Sequence, residues 1–387
     1  MATDIAAPPR AARAGVFGIF GLNGFLLSMW VVHIPTITDQ TGISKATLGL
    51  MILILAPGAL AGMQVAGPLA DRFGSKNLIT IGAVLLCITV LGPGFATTVV
   101  QLAIALAVFG FANGVMDVSM NTQAVYVERL YGRPILAAFH ALFSCGGFVG
   151  ALFGSATLAA QWDIRYTLAL ASGIGVVATV LCSRVLLPKV GRDRAEPGGR
   201  THVTGKVVLL GVLAFALLLS EGVANDWSAL QMQDRLGSTD AVAALAFGAF
   251  SIAMTIGRFG ADRVAGAFGP VAVLRFGTML AAGGMALVMV SPWTSLNLVG
   301  WTLFGIGLAG GVPQIFTAAG NLSTASTGAI MSRVFGIGYL GFLAGPSLIG
   351  WLTKVVPLTT AMAVPLICVL AATLLAGAVR APSASSA

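Results

Sequence analysis

Charge is scarce in this sequence of 387 residues: Lys and Arg together number 21 and Asp and Glu 13, or 9% of the chain. Soluble globular proteins carry about 25% charged residues. The two or three soluble domains that this length would otherwise make need far more charge to face water, so an ordinary soluble protein is excluded. Cysteine is scarce too. Cys87, Cys145, Cys182 and Cys368 all lie in apolar runs without CxxC spacing, which argues against a disulfide framework and a cysteine metal site. They read as small buried apolar side chains.

Apolar residues (AVILMFWYC) take up 57% of the sequence, and the mean hydropathy is +0.95. They come in continuous runs such as LAIALAVFGFANGV, without the 10-residue alternation of an outer-membrane barrel. A hydrocarbon core about 30 Å thick takes about 20 apolar residues per helical span. Twelve such spans are predicted, near 15–35, 45–68, 77–96, 99–126, 135–160, 165–187, 206–226, 239–261, 270–290, 295–320, 328–352 and 357–379. The fold class is therefore an all-α polytopic membrane protein with no room for a soluble domain of ordinary size. The N-terminal MATDIAAPPRAARAG has no small-x-small cleavage site before the first span and reads as a retained tail.

The longest polar stretch, Pro188 to Lys206, has the Pro, Gly and charge content of a linker and divides the spans six and six. The expected organisation is a tail over 1–14, a six-helix bundle over 15–187, a linker over 188–205, a second six-helix bundle over 206–379 and a tail over 380–387. The joint after the second span, GPLADRFGSK, and the joint after the eighth, GRFGADRVAGAFG, each carry an Asp-Arg pair. Asp71 and Asp262 are 191 residues apart, close to half the chain, which argues for an internal duplication.

Counting Lys and Arg on alternate sides sets the orientation. With the N-terminus inside, 17 of the 21 fall on the cytoplasmic side, Arg258 among them, and only Lys45, Arg165, Arg235 and Lys354 fall outside. Every basic residue has a side, and none is expected at mid-membrane depth. The net charge of +8 is then a matter of topology, and nucleic acid is not needed as a partner.

The loop pattern G-x-L-x-D-R-x-G-x-K, met by Gly67, Leu69, Asp71, Arg72, Gly74 and Lys76, resembles the signature of the major facilitator superfamily, and the resemblance covers essentially the whole chain. It implies two pseudo-symmetric six-helix bundles and a cytoplasmic latch made by this loop. Asp71 would sit against a helix N-terminus or beside Arg129, and Asp262 and Arg263 would form a degraded second copy. The bland alternative leaves Arg72 and Lys76 holding topology alone, and does not account for the acidic residue. Drug-proton antiporters of the superfamily carry an Arg in the fourth helix and a Gly-Pro motif in the fifth. Both are missing here, which disfavours multidrug efflux. MDVSMN in the fourth span resembles the corresponding segment of the fucose-proton symporters, with Asp117 in the place of its Glu and Asn121 in that of its Asn. SEGVANDW in the seventh resembles a bacterial branch associated with transport of rhizopine, an inositol-like amine.

Of the 13 acidic residues, ten belong to loops on one side or the other, and Asp226 lies near the outer end of the seventh span. Asp117 and Glu221 remain as embedded carboxylates. An ionised carboxylate at the centre of a lone helix costs about 2.5–3.5 kcal/mol on insertion scales, so such residues face a cavity or a proton path. With no embedded Lys or Arg to pair with, protonation is the least costly way to neutralise them. Asp117 is expected to carry a coupling proton and Glu221 a second proton or a substrate group; the alternative is a carboxylate kept protonated as a hydrogen-bond donor between helices. Asn113, Asp117 and Asn121 lie at i, i+4 and i+8 on one helical stripe, and Glu221 and Asn225 repeat the spacing.

The resemblance places both stripes against a central cavity. Asn side chains donate and accept together, as a hydroxylated solute requires. Trp30 and Trp227 serve either as platforms for its C–H face or as members of an aromatic belt. His140 is either a relay partner or a packing residue, and Gln314 and Asn321 join the substrate-binding candidates. Neither a metal-ligand cluster, a nucleophile–base pair nor a GxxxxGK[ST] loop is present, so no enzyme activity, metal or cofactor is expected, and the energy source is a proton gradient.

The expectation is a monomeric secondary transporter in a bacterial inner membrane, with both termini cytoplasmic. It would carry a sugar-, polyol- or inositol-like solute by proton symport and alternating access. Its partners are the small-molecule solute and the lipid bilayer. Efflux of a metabolite or drug by the same carboxylates stays open, as does, more remotely, a receptor on the same scaffold.

Overall fold

A computed structural model of the chain describes residues 10–43, 45–188, 204–323 and 326–380. Most of the expected linker, 189–203, and most of both tails lie outside the described residues. The described chain is built of long α-helices: α1 (Arg10–Thr41), α2 (Lys45–Phe73), α3 (Ser75–Phe95), α4 (Val99–Tyr131), α5 (Leu136–Ala159) and α6 (Ile164–Val185). After 189–203 come α7 (Gly205–Leu236), α8 (Asp240–Phe268), α9 (Pro270–Val290), α10 (Thr294–Gly320), α11 (Thr327–Leu352) and α12 (Leu358–Val379). Among the described residues, eleven stretches are long and apolar enough to cross a membrane, and the 29-residue α2 completes the twelve. All the cysteines are free.

Local chemistry explains where these helices begin and end. The Thr98 hydroxyl accepts from Gln101 N–H to start α4, the Thr204 hydroxyl accepts from Val207 N–H to start α7, and the Asp163 carboxylate accepts from Arg165 N–H at the start of α6. Gly132 and Gly237 close α4 and α7 in the left-handed conformation, at φ 62° each. α10 is interrupted after Leu308 and restarts at Gly311.

The chain separates into two compact units. The first holds residues 1–135, 142–199 and 323–332, and the second holds 136–141, 200–322 and 333–387. α5 and α11 thus each give their opening turn to one unit and the rest of their length to the other. Within the first unit α2 and α4 approach closely through a ladder of small residues. A Cβ on Gly58 or Gly62 would collide with the carbonyl oxygens of Ala107 or Phe111, and one on Gly110 or Gly114 with those of Leu55 or Ala59. Such small-xxx-small pairing brings helix backbones together where lipid offers no hydrophobic drive to association. In the second unit Gly305 of α10 meets the Phe250 carbonyl of α8 in the same way, beside a buried cluster of Phe250, Trp301 and Phe304. Large apolar side chains cover the outer surface, among them Ile104, Ile256, Phe276 and Leu374, the arrangement expected of helices bathed in lipid.

Candidate functional site

Unit one carries the α2–α3 turn. Gly74, buried at φ 90°, makes a turn that a side chain would strain. Asp71, three residues earlier, accepts from Gly328 N–H through Oδ1 at 2.7 Å and from Ala329 N–H through Oδ2 at 2.9 Å. These are first-turn amides of α11, which have no partner inside their own helix, and the helix dipole favours an anion there. Gly67 lies one turn before Asp71 and leaves room for the backbone of Gly328 and the side chain of Ser332. Arg129, in the last turn of α4, donates to the Thr327 hydroxyl at 3.4 Å. Asp71 thus sits against a helix N-terminus, with Arg129 on the same turn. Arg72 is exposed, its guanidinium 5.1 Å from the Phe73 ring centre, and Lys76 is half-buried.

Unit two repeats this arrangement with different residues. Asp262 accepts from Ala137 N–H at 3.0 Å and from Ala138 N–H at 2.8 Å, the first-turn amides of α5. Arg263 beside it is exposed.

Midway along α4, the carboxamide Nδ2 of Asn121 donates to the Asp117 carboxylate at 3.1 Å and to the Asp117 backbone carbonyl at 2.9 Å. Asn121 is fully buried, Asp117 half-buried and Asn113 buried. The Oδ1 atoms of Asn113 and Asn121 have no hydrogen-bond partner among the described residues. Asn23 of α1 reaches this stripe by donating to the Met120 sulfur at 3.8 Å, and its Oδ1 is likewise unpartnered. Buried amide oxygens are rarely left unpaired, and this unit holds three, those of Asn23, Asn113 and Asn121, without a partner among the described residues.

Glu221 of α7 requires a correction. Arg258 of α8 donates to its Oε1 at 3.2 Å, and the side chains keep only 16% and 12% of their exposure. The expected span of the eighth helix puts Arg258 at the cytoplasmic edge, with no embedded cation to meet Glu221. The helix instead continues through the polar-looking GADRVAG to Phe268 and so leaves Arg258 ten residues, about 15 Å of rise, from its end. Asn225, one turn beyond Glu221, is half-buried. His140 stands in the second turn of α5 with Nδ1 3.1 Å from the Leu136 carbonyl and its ring 6.1 Å from that of Phe316. Phe316 stacks on Phe335 at 3.8 Å between centres. Gln314, buried on α10, has an Nε2 without a partner among the described residues. Trp227 turns its indole N–H to the Pro346 carbonyl at 3.2 Å, which fixes the ring against α11.

Asn321 directly follows the last residue of α10 and is exposed. Trp30 is buried, with 5% exposure, and has no lipid-facing surface for an aromatic belt. Sequence reasoning passed over Gln64, which donates to the Ser332 carbonyl at 3.2 Å. Its signal was a lone amide in an apolar run. The Phe316–Phe335 stack left no such signal, because each residue reads as core by itself.

A family model described as Major Facilitator Superfamily matches residues 16–230, more than half of the chain. The chain belongs to the major facilitator superfamily. An uncharacterized MFS-type transporter of Yersinia pestis is 33% identical over 349 residues, covering 88% of this chain and 89% of that protein. The membrane protein MosC of Rhizobium meliloti is 33% identical over 347 residues, covering 89% and 84%. Among solved structures, the E. coli fucose:proton symporter FucP superposes with a TM-score of 0.80 over 97% of this chain and 100% of that one, at 14% identity. That likeness concerns the fold, which is the twelve-helix major facilitator fold.

Proposed function

We propose that this superfamily member is a proton-coupled symporter of a small hydroxylated solute, such as a sugar, a polyol or an inositol-like amine, with Asp117 as the proton carrier. The observation that carries the reading is the α4 stripe. A carboxylate sits midway along a membrane-length helix, held by one amide, with two amide oxygens of the same stripe left open. A polyol hydroxyl donates to an amide oxygen and accepts from an amide N–H, so Asn113 and Asn121 suit it. Glu221, paired with Arg258, suits an amino group or a second proton; Asn225, Gln314 and Trp227 are further contacts in that unit. Substrate free energy comes from the proton gradient, with no cofactor, as the protein alternates between two access states. Asp71 and Asp262 act as latches on one side. The Lys and Arg distribution supports a cytoplasmic position for that side and for both termini, in a bacterial inner membrane, and the transporter is read as a monomer.

The test is flux in proteoliposomes. A thermal-shift screen of sugars, polyols and amino-polyols selects the solute, whose hit should weaken on Asn121→Ala. Asp117→Asn should then abolish accumulation driven by a pH gradient while leaving counterflow of labelled solute intact. Uptake that is still driven by the pH gradient in Asp117→Asn overturns the assignment, and no flux of any solute in the unaltered protein overturns transport.

A further inference from the structure

We infer that the first unit holds an anionic phospholipid by its phosphate, in a cavity framed by Arg10, Arg13 and Arg133 at the cytoplasmic end of α1. The cavity has a volume of about 430 Å³ and is lined by these arginines together with Ala14, Phe17 and Tyr131. Tyr131 is the last residue of α4, and Gly132, left-handed at φ 62°, turns the chain so that Arg133 reaches the same cavity as the first turns of α1.

Helix stability does not ask for these charges. The first turn of α1 carries two arginines and no acidic residue, the opposite of what the positive end of a helix dipole favours. Membrane topology asks for positive charge on this side, but not for three side chains around one cavity. Like charges that converge repel one another. Among the described residues no carboxylate pairs with any of the three. Glu128, the carboxylate nearest to Arg133 in sequence, accepts instead from the Ile135 N–H at 2.8 Å. The Arg13 guanidinium lies over the rings of Phe17 and Tyr131, 5.2 and 5.4 Å from their centres, which holds it in place and leaves its N–H donors for another acceptor. The buried Tyr131 hydroxyl has no hydrogen-bond partner among the described residues either.

A phosphate answers these needs together, because it is an anion and offers several acceptor oxygens to forked donors. A lipid carries one at this depth: Arg10 and Arg13 directly precede the apolar run of α1, and basic pockets between membrane helices on the cytoplasmic side bind such head groups. Ala14 and Phe17 then give the cavity an apolar wall for the glycerol and the first methylenes.

The inference takes from the proposed function only the cytoplasmic side of α1. Its test needs neither solute nor gradient, so a failure of proton symport leaves it standing. Native mass spectrometry of the full chain in detergent, titrated with phosphatidylglycerol or phosphatidylcholine, reads the first lipid bound. Phosphatidylglycerol should bind more tightly by about tenfold or more, since the choline of the other lipid cancels its phosphate charge. Arg13→Lys keeps the charge but loses the fork and the ring stacking, and should weaken phosphatidylglycerol about tenfold, the worth of one charge-assisted hydrogen bond. Arg275→Gln, which removes an exposed positive charge in the second unit, should leave the affinity unchanged. Equal binding of the two lipids, or a phosphatidylglycerol preference that Arg13→Lys leaves intact or that Arg275→Gln lowers equally, overturns the site. Glycerol 3-phosphate that displaces the lipid at equimolar concentration overturns the lipid assignment in favour of a soluble phosphate.

Discussion

Asp71 and Asp262 do the same work at positions 191 residues apart, and the amide pairs they hold, Gly328 with Ala329 and Ala137 with Ala138, are themselves 191 residues apart. The duplication visible in two Asp-Arg dipeptides therefore extends to the helix that each carboxylate caps. Each cap satisfies two backbone donors with a charged acceptor, and such bonds contribute about 1.5–3 kcal/mol apiece at most. Asp71→Asn and Asp262→Asn keep the shape and remove the charge. Each should lower the melting temperature by a few degrees and raise maleimide labelling of a cysteine introduced in the first turn it held, at 329 or 138. A melting curve and labelling rate unchanged in both variants would show that the carboxylates serve topology alone.

The α4 stripe makes a second expectation. Asn121 holds Asp117, whereas the buried Oδ1 of Asn113 has no hydrogen-bond partner among the described residues. Asn113→Ala should weaken solute binding by about tenfold, the worth of one net hydrogen bond of about 1.4 kcal/mol, and leave proton coupling intact. Asn121→Ala should damage both, because it also frees the carboxylate to rotate. Equilibrium binding beside pH-driven uptake separates the two effects; equal losses in both variants would show that Asn113 acts only through packing.

Much of this was legible in the sequence because membrane helices obey few rules. Long apolar runs gave the spans, the Asp-Arg joints gave the repeat, and the i, i+4, i+8 spacing gave the Asn113–Asp117–Asn121 stripe. What escaped depended on depth along a helix. Arg258 lies in a stretch whose glycines and charges look like a loop, yet the helix runs on to Phe268, with Ala261 and Ala265 buried on one face. Asn321 directly follows α10, which ends at Gly320 as expected, and its exposure is a matter of packing that spacing does not record. Contacts such as Gln64 with Ser332 join residues 268 apart, and one-dimensional spacing holds no record of them.

The Glu221–Arg258 pair sets a stability expectation of its own. Removing one member of a fully buried pair costs about 3–5 kcal/mol, while replacing both is often neutral. These side chains retain 16% and 12% exposure, which lowers the figure for Arg258→Gln to about 2 kcal/mol. The double variant Glu221→Gln/Arg258→Gln should recover most of that loss. Fluorescence-detected melting in detergent reads this directly, and a double variant less stable than Arg258→Gln would mean that the two residues do not act as a pair.

Packing between α2 and α4 gives the last expectation. A methyl at Gly114 would fall on the Ala59 carbonyl, and backbone cannot move aside as a flexible side chain does. Gly114→Ala should therefore destabilise the first unit by about 1–3 kcal/mol, the usual cost of overpacking. Gly173 of α6 is exposed, with nothing within 4 Å of an added Cβ. There Gly173→Ala should stabilise by up to about 1 kcal/mol through helix propensity alone. The same chemical change thus acts with opposite sign at two helical glycines, and the position of a neighbouring carbonyl decides which. Melting temperatures of both variants provide the check; a neutral Gly114→Ala would mean that α2 and α4 stand further apart than the glycine ladder requires.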